Sequence, residues 1–144
     1  MTPETQSVTP ETLVAEARRA LANAHAPYSR FPVGAALLGE SGRVYLAVNV
    51  ENASYGLSVC AERSAVFAAV AAGEKRFKAL AVVTDTPEPT PPCGACRQVL
   101  REFVADLPVH LAGRMGAIVT RPLSELLPYA FSPPAEGRDR GFTA

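Results

Sequence analysis

Two short stretches hold all three cysteines of the chain, Cys60-Ala61-Glu62 and Pro92-Cys93-Gly94-Ala95-Cys96. Three thiolates can take three corners of a Zn²⁺ tetrahedron and leave the fourth to water, and a carboxylate beside them can move protons. Cys93 and Cys96 stand three residues apart, so in the first turn of a helix their sulfurs share one face and can clamp a single ion. Cys60 heads a second predicted helix, and the positive ends of both helices would favour the thiolate forms. Glu62 lies more than half a helical turn from Cys60, which makes shared coordination awkward and a place beside the metal's water easier. There it could shuttle protons, provided burial keeps its pKa near neutral. Three thiolates leave the centre net negative, so a cation is expected to compensate: Arg63 first, Arg97 second.

Two plainer readings fit part of this pattern. A Cys-x-x-Cys pair at a helix start also suits a redox dithiol, but that chemistry has no use for the third cysteine and the adjacent glutamate. A structural zinc normally takes four protein ligands, and the two histidines, His25 and His110, lack ligand spacing.

The rest of the chain bounds what such a site can serve. At 144 residues and 48% hydrophobic content it suits one domain with a real core. Its formal net charge is zero, so no overall field draws it to nucleic acid or to an anionic membrane. A polynucleotide enzyme would want a basic track with stacking aromatics, and the chain has no Trp. The first ten residues show neither a basic nor an apolar leader segment, and no run approaches the roughly 18 apolar residues of a membrane span. A cytoplasmic protein is expected, and an odd cysteine count argues against a disulfide framework.

Elements must bring the two cysteine stretches together. Residues 10–24 carry apolar side chains at helical spacing behind Thr9 as N-cap and Pro10 at N1. Val33 to Leu38 and Val44 to Val50 flank Gly39-Glu40-Ser41-Gly42 and read as a hairpin, followed by a polar loop from Glu51 to Val59. Cys60 to Ala72 reads as a buried helix stopped by Gly73, and Leu80 to Thr84 as a strand. After a stiff stretch with prolines at 87, 89, 91 and 92, Cys93 opens a helix through Val104. Val109 to Leu111 and Ala117 to Thr120 complete five strands, and Pro122 starts a short helix through Leu127. The order predicts an α/β fold, a three-layer α/β/α sandwich around a mixed five-stranded sheet. The domain is expected over 10–131, with a flexible segment 1–9 and a mobile tail 132–144.

On these residues the chain resembles the cytidine deaminases of the small, homotetrameric, zinc-dependent type, in which a cysteine stands where related zinc deaminases carry histidine. The resemblance runs from Tyr28 to about Phe131. It rests on Tyr28-Ser29-x-Phe31-Pro32-Val33-Gly34-Ala35, Asn49-Val50-Glu51-Asn52-Ala53, Cys60-Ala61-Glu62-Arg63 and Pro92-Cys93-Gly94-Ala95-Cys96-Arg97-Gln98-Val99. It implies one Zn²⁺ per subunit on Cys60, Cys93 and Cys96, with Glu62 as the proton shuttle. It further implies ribose hydroxyls on Asn49 and Glu51, Phe31 against the pyrimidine, and Phe131 covering the site of another subunit. The implied reaction is hydrolytic deamination of cytidine and 2′-deoxycytidine in pyrimidine salvage. Glu51 suits sugar hydroxyls and repels a nearby phosphate, which favours a free nucleoside over a nucleotide. Without the resemblance, Asn49 and Glu51 would read as an exposed turn, and Phe31 and Phe131 as core.

Overall fold

Thr9 caps the first helix: its hydroxyl accepts from the backbone N–H of Thr12, and the Thr12 side chain closes a reciprocal capping box. In the computed structural model, which describes residues 7–132, this helix (α1) spans Pro10–Ala20 and buries Leu13, Val14, Ala17 and Ala20 along one stripe. It ends four residues short of the expected boundary, tightening into a 3₁₀ turn over Leu21–Asn23 before the extended Ala24. The expected mobile ends fall, apart from residues 7–9 and 132, outside the described residues.

The remaining elements are β1 (Val33–Gly39), β2 (Val44–Val48), a 3₁₀ turn at Tyr55–Leu57, α2 (Ala61–Ala71) and β3 (Phe77–Thr84). They continue with α3 (Gly94–Phe103), β4 (Pro108–Ala112), β5 (Val119–Pro122) and α4 (Leu123–Leu126). The sheet order is β2-β1-β3-β4-β5; only the β3/β4 pair is parallel, so the five-stranded sheet is mixed as expected. A parallel pair needs a crossover, and α3 supplies it.

Both faces of the sheet are covered, which is why its strands read as near-continuous apolar runs. Alternate residues sort the layers. Ala35 and Leu37 of β1 and Leu80 and Val82 of β3 join Ala61, Ala65, Val66 and Leu100 of α2 and α3. Ala36, Leu38, Ala79, Ala81 and Val83 face Leu13, Val14 and Ala17 of α1 instead. Alanines at 36, 79, 81 and 112 make much of the strand surface on the α1 side small, so the helix packs close. A Cβ on Gly34 would stand 2.2 Å from the Ala17 carbonyl oxygen, which leaves glycine as the residue that fits.

Several boundaries differ from expectation for local reasons. β2 stops at Val48 because Asn49 turns its side chain onto the chain entering β1, and Val50 makes only isolated bridges to His25 and Val59. β3 begins three residues early, at Phe77, whose ring packs on Phe103 at 5.6 Å. β5 lies two residues downstream, in register with Pro108 to Leu111, and Pro122 is the N-cap of α4 rather than its first residue. Gly73 ends α2 as expected: at φ +90° it lets its own N–H and that of Glu74 return to Val70 and Ala69 in a Schellman motif. Among the described residues no helix is long and apolar enough to cross a membrane.

Candidate active site

Cys60 and Cys93 are the N-caps of α2 and α3, both extended at ψ 155° and 168°, and neither helix is capped by a side-chain hydrogen bond. Proline punctuation before Cys93 lets α3 start abruptly, and one turn in, Cys96 is fully buried behind it. The sulfurs converge: Cys60 to Cys93 is 3.7 Å and Cys93 to Cys96 is 3.4 Å. A zinc tetrahedron with bonds of about 2.3 Å has sulfur–sulfur edges of about 3.8 Å, so the donors stand almost where such an ion requires them. Among the described residues this is the one group of three His, Cys, Asp or Glu side chains that could hold a metal ion.

The electrostatics agree with a thiolate centre. Cys60 is pulled down to about 5, chiefly by the hydrogen bond from Cys96, with burial opposing and Arg63 assisting. Cys96 is pushed up, because it holds the proton shared with Cys60 and its burial disfavours a second bare anion. Arg63, the first cation candidate, donates from Nη2 to Cys60 Sγ at 3.5 Å. Its Nε is the one buried side-chain nitrogen or oxygen without a partner among the described residues, a guanidinium held against the sulfurs by position rather than by full pairing. Arg97, the second candidate, turns away and donates to the carbonyls of Pro92 and Leu126, fastening the approach to α3 onto α4.

In front of the cluster opens a cavity of about 360 Å³, within the range of roughly 300–1,000 Å³ of small-molecule sites. Its floor continues the residue rows that face α2 and α3: Val33 at the start of β1, and Val82 and Thr84 at the end of β3, where Val33 pairs with Thr84. Cys60, Cys93 and Glu62 form one wall, Thr90 and Pro91 the rim beside Cys93, and Ser29, Phe31, Asn49 and Glu51 the opposite wall. A larger hollow of about 780 Å³ behind the 25–32 segment is open to solvent and contains none of the cysteines.

Glu62, in the first turn of α2, is 5% exposed. Burial raises its pKa to about 7, with the neighbouring Cys60 charge adding to the rise. The group is therefore poised to gain and lose a proton near neutral pH, as general acid–base work requires.

Asn49 is buried and stitches the opposite wall: Oδ1 accepts from Val33 N at 2.9 Å and Nδ2 donates to the Phe31 carbonyl at 2.9 Å. One hydrogen and one lone pair remain for a ligand. Glu51 Oε1 accepts from Tyr28 N at 3.0 Å and Ser29 N at 3.1 Å, while Oε2 accepts from the Ser29 hydroxyl. The Ser29 hydroxyl and amides hold Glu51 below the usual carboxylate value. Phe31 is partly exposed over the cavity. Phe131 is 77% exposed and stands outside the wall of its own cavity, its carbonyl held by Gln98 Nε2 at 3.2 Å. Tyr55 also lies outside, edge-on to Tyr28 with ring centroids 5.7 Å apart.

Of the expected residues, Cys60, Cys93, Glu62, Phe31, Asn49 and Glu51 line the cavity, while Cys96 completes the sulfur cluster behind it and Arg63 reaches the Cys60 sulfur from outside the lining. Sequence reasoning missed Thr84, Thr90 and the Ser29 hydroxyl. Ser29 lay inside a motif singled out for other residues; the two threonines carry no spacing signal.

A sulfur cluster at two helix starts, with a proton-carrying glutamate on the same cavity wall, defines a zinc-binding hydrolase site of the base-deaminating class. Residues 7–110 match the family model of the cytidine and deoxycytidylate deaminase zinc-binding region, and the chain belongs to that family. It is 52% identical over 123 residues to a cytidine deaminase of Sporosarcina psychrophila, covering 85% of this chain and 90% of that protein. A cytidine deaminase of Mycobacterium tuberculosis H37Rv is 46% identical over 120 residues, covering 80% of this chain and 84% of the relative. The crystal structure of a cytidine deaminase from Burkholderia pseudomallei superposes with a TM-score of 0.79 at 46% identity, over 91% of this chain and all of that one.

Proposed function

We propose that the protein is a zinc-dependent nucleoside deaminase that converts cytidine and 2′-deoxycytidine, with water, to uridine and 2′-deoxyuridine and ammonia. The observation that carries this reading is a shared lining: Cys60 and Cys93, two of three convergent thiols, and a buried glutamate of pKa about 7 open on one cavity of nucleoside size, with Cys96 completing the cluster behind them. Cys60, Cys93 and Cys96 would hold the zinc. When bound, the metal supplies a Lewis acid that makes water nucleophilic near neutral pH.

This chain's own residues supply the rest. Glu62 takes up the proton that water gives up on attacking C4 of the base and delivers it to N3; it then passes the proton of the new C4 hydroxyl to the amino group, which leaves as ammonia as the C4–N bond breaks. Arg63 offsets the negative charge of the three thiolates, so that the centre does not lose its pull on water. Phe31 packs against the pyrimidine, and Asn49 and Glu51 receive the ribose hydroxyls with the polar capacity they retain. The anionic Glu51 disfavours a 5′-phosphate, which points to free nucleosides.

The assembly proposed is a homotetramer with its sites at subunit interfaces, each covered by Phe131 of a neighbour. The exposure of Phe131 and its absence from its own cavity wall support this. The working unit is 10–131, the location cytoplasmic and the role pyrimidine salvage. No nucleic acid or membrane partner is proposed, in keeping with a net charge of zero.

The test follows ultraviolet absorbance with cytidine, deoxycytidine, cytosine and CMP, with and without a chelator. Conversion of the two nucleosides, weak activity on cytosine and CMP, and loss with the chelator are expected. An unchanged cytidine spectrum with zinc-loaded protein refutes the reading.

A further inference from the structure

We propose that Ser29 is a positioning residue, its hydroxyl tying the carboxylate that receives the sugar to the backbone that carries the ring facing the base. The inference rests on the reading of the cavity as a nucleoside site. A serine hydroxyl has one hydrogen to donate and two lone pairs. Here the hydrogen goes to Glu51 Oε2, and one lone pair accepts from the Phe31 backbone N–H at 3.0 Å. Ser29 also donates its own backbone N–H to Glu51 Oε1 at 3.1 Å. One residue therefore fixes both carboxylate oxygens of Glu51 and the direction in which Phe31 leaves the turn.

The turn needs such a tie. Arg30, between Ser29 and Phe31, sits at φ +56°, a left-handed conformation that a residue with a Cβ adopts at a cost. A serine side chain that accepts from the N–H two residues on is a local device for stabilising such a turn. Residues 28–31 are exposed, so little packing would hold their conformation if the hydroxyl were lost. Asn49 holds the far side of Phe31 through its carbonyl, and Ser29 holds the near side through its N–H. Glu62 and Cys96 sit on α2 and α3, which Cys60 and Cys93 cap, whereas the described hydrogen bonds of Ser29 go to Glu51 and Phe31 and to none of these four. Losing the hydroxyl should therefore impair the seating of the nucleoside and spare the chemical step.

The experiment compares Ser29→Ala, Ser29→Thr, Glu51→Ala and the double variant Ser29→Ala/Glu51→Ala on cytidine, with zinc content and thermal midpoint measured for each. Ser29→Ala should raise KM about tenfold, the effect of one hydrogen bond to a charged group, with kcat within about twofold of wild type. Ser29→Thr keeps the hydroxyl, has room at an exposed position, and should return KM to within about threefold of wild type. In the Glu51→Ala background the same serine change should cost less than about threefold, because the two residues act as a unit.

An unchanged KM in Ser29→Ala, a fall in kcat alone, failure of Ser29→Thr to restore KM, or a full effect in the Glu51→Ala background each overturns the proposal. So does loss of zinc or of the folded state in Ser29→Ala, since the residue is assigned no part in holding the fold. Wild-type protein that leaves cytidine untouched overturns the underlying site reading instead. An active wild type with an indifferent Ser29→Ala overturns only the role of Ser29.

Discussion

Replacing Glu62 by Gln should make the protein more stable at alkaline pH while removing its activity. The folded carboxyl keeps its proton to about pH 7, whereas in the unfolded chain it ionises around 4.5. A raised carboxyl pKa weakens folding as pH climbs from the unfolded value to the folded one, because the unfolded state gains by releasing a proton that the folded state retains. Worked through, the cost is about 1.4 kcal/mol at pH 5.5 and about 3.3 kcal/mol at pH 8. Gln carries no such penalty, so its advantage over wild type should widen by about 2 kcal/mol between these pH values, and packing differences cancel in that comparison. Urea unfolding measures it, with both proteins stripped of metal, because a cation beside Glu62 would itself shift the proton, and at one subunit concentration, since partner subunits stabilise by mass action. Turnover of Glu62→Gln should fall by about 10²–10⁴. A stability difference that stays flat with pH would show that burial does not hold the Glu62 proton, and near-wild-type turnover would remove its role.

Arg63→Ala should retain zinc, measured by elemental analysis, and lower kcat by at least about tenfold through loss of the charge that offsets the thiolates. Asn49→Ala orphans the Val33 N–H and the Phe31 carbonyl and should cost about 1–3 kcal/mol in urea unfolding, with a raised KM. Gly34→Ala drives a Cβ into the Ala17 carbonyl and should lower stability by about 1–3 kcal/mol, with residual activity in the protein that folds. Phe131→Ala should raise KM while leaving kcat near wild type; mixing it with Glu62→Gln and finding hybrid assemblies no different from the average of the parents would argue against a shared site.

Most of the layer plan was legible because it is written in local signals. Thr9-Pro10 announces α1, Gly73 stops α2, and the prolines before Cys93 leave α3 a sharp start. The candidate metal cluster was legible because Cys93 and Cys96 have the spacing of a chelating pair and Cys60 is the one cysteine left to join them. Phe77 is different: flanked by Arg76 and Lys78, it enters β3 only because Phe103 receives its ring, a contact 26 positions away that no window sees. The expectation that Asn49 and Glu51 receive a ligand came through the resemblance alone, while the task the structure shows, bracing residues 28–33, appears only once β2 and the entry to β1 lie side by side. Single hydroxyls such as Ser29 and Thr84 have no periodicity to betray them.

Cys60 and Cys93 belong to different helices, so an ion between them also sets the gap between the two helix heads. Thr90 and Pro91 directly precede Cys93, and Glu62 follows Cys60 by two residues, so an ion seated between the sulfurs would also fasten together two parts of the cavity lining that the chain itself leaves on separate helices.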